Sequence, residues 1–283
     1  MFEDTIKSVE ALLIEHADTL RAGFHDRDEA GRSNPSGDEV KQGDVRADAL
    51  LERVLLEIES IGEYASEERS EPIQGDGHLA VAVDPLDGSS NLQANNTVGT
   101  IVSLYDKPLP AGGDALIGAW YLVFGPLTTL IATDCNTVRE IIIEDHEASK
   151  QREISIPPDP TVYGVGGQPA QWSPTFRAFI AEMKGQLKVR YSGAMVADIN
   201  QVLFNGGIFS YPALESSPQG KLRVQFEAIP MAAIITAAGG ASTNGTESLL
   251  EISPSTLHQR TPVHIGNETL IRQLEATKKH EVL

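Results

Sequence analysis

The chain of 283 residues carries 40 acidic against 22 basic side chains, a formal charge of −18, and is 41% hydrophobic. The apolar share excludes disorder, and the length allows a sizeable core as one large domain or two modest ones. The negative balance argues against a nucleic-acid or anionic-membrane binder.

The start, Met1-Phe2-Glu3-Asp4, lacks the basic-then-apolar order of a signal peptide. Over 5–20, Ile6, Val9, Leu12, Leu13 and Leu20 recur at helical spacing between charges and predict an amphipathic helix. The stretch 26–44 is polar and glycine-containing around Asn34-Pro35-Ser36-Gly37, which predicts a long surface loop of functional character. A second helix follows, with Ala47, Leu50, Leu51, Val54, Leu55 and Ile58 on one face. Leu79-Ala80-Val81-Ala82-Val83 is an apolar run of strand length. Further runs at 98–105, 116–124, 127–132 and 138–143 predict a sheet of mixed or antiparallel strands. The most apolar stretch, 116–132, is broken by Gly118, Gly125 and Pro126, and falls short of the about 18 uninterrupted apolar residues a membrane helix needs.

Pro157-Pro158-Asp159-Pro160 is the clearest break in the chain. Beyond it the pattern predicts a strand at 161–165, helices near 174–184 and 194–205, an apolar run at 207–211, and a small-residue helix at 231–238 stopped by Gly239-Gly240. The expected architecture is α/β in layers, with subdomains 1–158 and 159–283. The single Cys135 excludes an intrachain disulfide or a thiolate metal cluster, fits a reducing cytoplasmic compartment, and is expected to be a small buried hydrophobe. The acidic balance also suits a surface that stays hydrated at high salt, where screening removes most self-repulsion. A salt-loving source is therefore expected, against the plainer reading of an ordinary acidic cytosolic enzyme.

Asp84-Pro85-Leu86-Asp87-Gly88-Ser89-Ser90 follows the apolar run 79–83 directly. Two carboxylates three apart at a strand end can converge on a hard cation, which takes carboxylate and carbonyl oxygens. Gly88-Ser89-Ser90 then offers small residues and open N–H groups at a helix start, a place for phosphate. Metal carboxylates beside an anion nest are what phosphoester hydrolysis requires. Taken alone, the motif also reads as a plain turn.

With Asn91 and Gly99-Thr100-Ile101 this run resembles class I fructose-1,6-bisphosphatase, of the lithium-sensitive sugar-phosphatase superfamily. Gly37-Asp38-Glu39-Val40-Lys41 with Asp44 resembles that family's mobile metal loop, and Ser66-Glu67-Glu68 its acidic pair. Arg190-Tyr191-Ser192-Gly193-Ala194-Met195-Val196-Ala197-Asp198 and Gly206 to Ala213 resemble its substrate segments. Ser217 to Arg223, Glu227 and His258-Gln259-Arg260 complete the series in the family's order.

The resemblance implies a sugar-phosphatase fold of alternating helix and sheet layers in two closely packed subdomains. It implies Mg²⁺, two or more ions per site with Mn²⁺ or Zn²⁺ as substitutes, held by Glu67, Asp84, Asp87, Glu227 and the carbonyl of Leu86. Glu68, Asp38 and Asp44 match groups that orient or deprotonate the attacking water. Asp87, Gly88, Ser89, Ser90, Arg190, Tyr191, Tyr211, Lys221 and Arg223 match substrate positions, Arg190 reaching into a neighbouring subunit's site in a homo-oligomer, dimer or tetramer. The expected reaction is hydrolysis of fructose 1,6-bisphosphate to fructose 6-phosphate and phosphate, a gluconeogenic step. Alternatives are a sedoheptulose-1,7-bisphosphatase, an inositol or sugar monophosphatase, or a non-catalytic sugar-phosphate or cation sensor on the same fold.

Departures bear on specificity. Val165-Gly166-Gly167-Gln168 replaces an Asn-Glu-Gly-Tyr segment, and Gln93 stands where many members have Asp. His78-Leu79 replaces a Lys-Tyr pair and Gly113 an Arg, so an AMP phosphate finds few donors and weak or absent AMP inhibition is expected. His16, His25, His146 and His264 form no ligand spacing.

Overall fold

The computed structural model describes residues 2–35, 37 and 39–279. Helix α1 (Phe2–Gly23) leads into β1 (Glu29–Ser33) and β2 (Glu39–Lys41), an antiparallel pair, and then into α2 (Gln42–Leu56). The described residues of the 26–44 stretch therefore hold more regular structure than their composition predicts. A turn closed by Gly37 N–H on Asn34 O (2.9 Å) folds its flanks together, and Asp44 already lies in the first turn of α2. Its polarity marks exposure of β1, not absence of structure.

Strands β3 (Ile61–Ser66), β4 (Ile73–Gln74), β5 (Leu79–Asp87), β6 (Val98–Tyr105), β7 (Leu116–Phe124), β8 (Thr128–Thr133), β9 (Val138–Glu144) and β10 (Glu147–Glu153) form one sheet. Their order is β10-β9-β8-β7-β6-β5-β3-β4, antiparallel except for β3 beside β5. The expected apolar runs become β6 to β9. Strand β10 was not legible, because Glu147 to Glu153 is exposed throughout and carries charges in place of an apolar alternation, as suits a sheet edge.

The second half comprises β11 (Val162–Val165), α3 (Pro174–Gln186), β12 (Lys188–Val189), α4 (Met195–Asn205), β13 (Gly207–Tyr211), β14 (Leu222–Arg223), a π-helical turn (Val224–Ala228), α5 (Ile229–Ala237), β15 (Ala241–Thr243), β16 (Arg260–Thr261), β17 (Val263–Gly266) and α6 (Glu268–Lys279). Five of these strands form a second sheet in the order β12-β11-β13-β17-β15, and β14 pairs separately with β16.

Burial sorts these elements into five layers. Leu79, Val81 and Val83 of β5 face the core that holds Val9 and Leu13 of α1 and Leu51 and Val54 of α2. Ala80 and Ala82, on the opposite face, share a core with Val196 and Ile199 of α4 and Ile234 of α5. That core also takes Phe209 of β13 and Ile265 of β17, so α4 and α5 lie between the two sheets. Phe176, Phe179, Leu270 and Leu274 of α3 and α6 cover the outer face of the second sheet. The small alanines of β5 let the middle helices approach the strand that carries the acidic motif. Cys135 departs from expectation: it is exposed in a turn at φ 68, its thiol 3.6 Å from Leu116 O. Among the described residues no helix is long and apolar enough to cross a membrane.

Candidate active site

The acidic motif lies inside the end of β5, not after it. Asp84 pairs with Ile101 and Asp87 with Gly99, so three steps along β5 match two along β6. The extra residue is a bulge. In an unbroken strand, residues three apart point to opposite faces; the bulge changes that parity and turns both carboxylates to one side. Thr100 Oγ1 donates to Pro85 O (2.9 Å) and Leu86 N–H to Asp84 Oδ1 (3.1 Å), which pins the bulge. Gly88 follows at φ 79, where an added Cβ would lie 2.4 Å from Ala194 Cβ. Only glycine fits there, because both the backbone and the neighbouring loop exclude a side chain. Ser89–Leu92 is a single 3₁₀ turn, shorter than the helix expected, and its first intrahelical bond is Asn91 N–H to Gly88 O (2.8 Å). Ser89 and Ser90, whose N–H groups precede that bond, both line the cavity.

Asp84, Asp87 and Glu227 are buried, each with a carboxylate oxygen within 4.8 Å of the others. Glu227 arrives from the second half of the chain in the π-helical turn, where its Oε2 accepts Arg223 N–H at 2.6 Å. Asp87 Oδ2 accepts the Val196 N–H of α4 at 2.7 Å. Glu67, just past β3, stands beside Asp84, and the Arg223 guanidinium lies 3.0 Å from Glu67 and 3.7 Å from Glu227. Burial drives the Asp84 carboxyl well above its usual range, and the charges of Glu67, Asp87 and Glu227 push it further. Glu67 is raised by burial against the opposing pull of Arg223. Asp87 is pushed up to about 7 by burial, although the Val196 N–H opposes it. Buried carboxylates that repel one another need a cation partner. The Arg223 guanidinium faces this cluster of four, and an all-oxygen donor set at this spacing fits a hard divalent ion.

The cluster opens into a cavity of about 570 Å³, which Asp44, Glu68, Leu86, Tyr191, Tyr211 and Lys221 also line. Asp44, in the first turn of α2, accepts Lys41 N–H at 2.6 Å, and burial followed by the charge of Glu68 pushes it up to about 7. Glu68 is raised by burial, with Asn34 Nδ2 3.4 Å from its Oε1. Its Oε2 is buried with no hydrogen-bond partner among the described residues. Asp38 lies outside the described residues. Arg190 is exposed, donates to Val189 O (2.9 Å), and does not line the cavity. Arg223, grouped with the sugar-phosphate positions from sequence, packs against the carboxylates.

Sequence reasoning missed Asn34, Lys41 and Asp198 as lining residues. Lys41 had a legible signal, a base in the acidic segment Gly37 to Asp44. Asp198, buried in α4 and accepting Ser192 N–H at 2.7 Å, is pushed up to about 6 by burial; the sequence placed it at the end of a substrate-like segment without giving it a role.

The fructose-1-6-bisphosphatase N-terminal domain profile matches residues 9–149 and the C-terminal domain profile residues 156–279. A class 1 fructose-1,6-bisphosphatase from Natronomonas pharaonis is 47% identical, covering 96% of this chain and 98% of its own. One from Halobacterium salinarum is 46% identical, over 96% and 97%. Both relatives fit the acidic composition. A fructose-1,6-bisphosphatase structure from Leishmania major in holo form superposes with a TM-score of 0.86 at 30% identity, covering 98% of this chain and 91% of that one. A Toxoplasma gondii protein provisionally named sedoheptulose-1,7 bisphosphatase superposes with a TM-score of 0.88 at 26% identity, over 96% and 94%. With both family profiles placed in order on a chain that aligns nearly end to end with these relatives, the protein belongs to the class 1 fructose-1,6-bisphosphatase family.

Proposed function

We propose that the chain hydrolyses D-fructose 1,6-bisphosphate at its 1-phosphate, releasing fructose 6-phosphate and inorganic phosphate. The observation that carries this reading is the buried triad Asp84, Asp87 and Glu227, within 4.8 Å, in a cavity that Lys221, Tyr191 and Tyr211 also line. Asp84, Asp87, Glu227, Glu67 and the Leu86 carbonyl would hold the divalent ions, Mg²⁺ in this reading. Bound there, such ions supply charge neutralisation on phosphoryl oxygens and lower the pKa of a water.

The rest is the work of the chain's own groups. Glu68 and Asp44 orient the attacking water and take its proton, a task suited to Asp44, which is pushed up to about 7. Asp38 is assigned with them from the sequence motif alone. The N–H groups at Ser89 and Ser90 receive phosphoryl oxygens, and their hydroxyls serve as donors, not nucleophiles. Lys221, Tyr191 and Tyr211 take the distal phosphate and the sugar, Lys221 as a point charge and the tyrosines as neutral donors. Arg223 balances the carboxylate cluster. Arg190 and its exposed neighbours Val189 and Tyr191 suit a homo-oligomer in which Arg190 serves an adjacent subunit. The reading assigns most of the metal and phosphate chemistry to residues 1–158 and sugar-phosphate binding to 159–283, with Glu227 the metal ligand that the second half contributes.

Sedoheptulose 1,7-bisphosphate is the second reading, favoured by the Toxoplasma gondii neighbour. Phosphate release from both ketose bisphosphates and from inositol monophosphate, with Mg²⁺, with added Li⁺ and with a chelator, separates the cases. The expected result is preference for fructose 1,6-bisphosphate, inhibition by Li⁺ and loss of turnover with chelator. Full turnover without divalent metal would refute the mechanism, and a faster monophosphate reaction would refute the substrate.

A further inference from the structure

Asp44, Asp48 and Glu52 recur every fourth residue and form one acidic stripe along α2. The first lines the cavity; the other two grip Arg69. Arg69 Nε meets Asp48 Oδ2 at 2.7 Å and Nη2 meets Glu52 Oε2 at 2.5 Å. Asp48 is 3% exposed, and its other oxygen accepts Tyr64 OH at 2.9 Å, with the guanidinium 6.0 Å from the Tyr64 ring centre.

Arg69 ends the turn that carries the acidic pair. Its N–H donates to Ser66 O at 3.1 Å, and Glu68 N–H donates to Ser66 Oγ at 3.2 Å, so Glu67 and Glu68 sit in a closed loop whose last residue is tied to α2. The Arg69 carbonyl is held from the other side, 2.8 Å from His258 Nε2. A carbonyl only accepts, so Nε2 carries the proton. The His258 ring packs on Phe226, with centroids 5.4 Å apart, and Phe226 immediately precedes Glu227. One residue thus links α2 with Asp44, the loop with Glu67 and Glu68, and the π-helical turn with Glu227. These three segments meet nowhere in sequence.

We propose that Arg69 is a positioning residue: tied to Asp48 and Glu52 on one side and to His258 on the other, it holds Glu67 and Glu68 in register with Asp44 and Glu227, and so sets the affinity of the carboxylate cluster for divalent ions. The inference rests on the metal reading of Glu67 proposed above. Carboxylates acting on a metal must be oriented by their own partners, whose loss costs about 10- to 100-fold in metal affinity.

The test is Mn²⁺ binding to the full chain without substrate, by titration calorimetry and by loss of the free-ion paramagnetic resonance signal, with melting curves alongside. Arg69→Met is expected to weaken Mn²⁺ binding about tenfold or more. Arg69→Lys should recover part of the loss, because an ammonium cannot reproduce the two-pronged grip. Arg46→Met, which removes an exposed pair with Asp26 from the same helix, should bind as wild type. Wild-type affinity in Arg69→Met, or an equal loss in Arg46→Met, would overturn the proposal. If Arg69→Met does not fold, Arg69→Lys and Glu52→Gln decide: a graded loss supports the clamp, and unchanged affinity in both overturns it. Glu67→Gln run in parallel separates the two ideas. Unchanged binding there removes the ligand reading, whereas loss there with wild-type binding in Arg69→Met removes the clamp alone.

Discussion

Two carboxylate-rich cavities among the described residues differ in how water treats the charge. The larger, about 1100 Å³, lies between α1 and the turns before β3 and β5, lined by Asp4, Glu57, Glu59 and Asp76, all exposed. The smaller, about 570 Å³, holds Asp84, Asp87, Glu67 and Glu227, all buried. Solvated carboxylates cost the fold little and offer no stored electrostatic free energy. Desolvated ones that repel each other persist because the surrounding structure over-determines them, and a cation relieves them. Volume alone would have ranked the two cavities in the wrong order.

Substitution of one acid in each cavity is the sharpest way to break that contrast. Asp87→Asn should lower the rate of phosphate release about 10³-fold or more, since it removes a carboxylate on which the metal reading depends. Asp76→Asn should leave the rate within about twofold, as exposed charge changes do. Near-wild-type turnover in Asp87→Asn would end the assignment.

Lys221→Met probes the cationic side of the smaller cavity. Losing a charge-assisted contact to a phosphate is worth about 1.5–3 kcal/mol, so the KM for a bisphosphate should rise about tenfold or more, with a smaller effect on a monophosphate. Equal effects on both substrates would move Lys221 away from the distal phosphate.

Acidity supplies a third handle. Asp44 and Asp87 are raised from 3.8 to about 7. Without metal, the folded chain therefore holds protons that the unfolded chain releases, and stability falls as pH rises from about 4 through about 7. Divalent ions bind the deprotonated set. Added Mg²⁺ should then raise Tm more at pH 8 than at pH 5, and equal shifts at the two pH values would disconnect the raised carboxylates from metal binding.

The smallest effect is expected in the larger cavity. Its lining holds His78 but no Lys or Arg among the described residues, so nothing there grips a phosphate against four carboxylates. AMP at micromolar concentration should leave the rate unchanged in a steady-state assay. Potent inhibition would overturn this expectation.

Much of the fold was legible because burial imposes periodicity. The runs at 98–105, 116–124, 127–132 and 138–143 became adjacent strands, and α1 and α2 kept their apolar faces toward β5. Features without an apolar signature were not legible: the exposed strand β10, and the β1–β2 pair that orders the supposed loop. The candidate site divides in the same way. Asp84, Asp87, Gly88 and the serines stood out as a local motif, while Asn34 and the tether from Arg69 to His258 carry no local pattern.

The sequence by itself determined which residue types are present and in what order: a buried strand running into Asp-Pro-Leu-Asp-Gly-Ser-Ser, an acidic pair at Glu67 and Glu68, and a basic segment ending at Arg223. Tertiary structure alone decided their geometry. The bulge at Pro85 and Leu86 put Asp84 and Asp87 on one side, and packing between the sheets brought Glu227 to them. It also turned Arg223 toward Glu67 and left Arg190 facing solvent. Local patterning reports the period of a strand or helix and the face it buries. The meeting of residues 67, 84 and 227 depends on how separate layers stack, and that information lies in the whole core.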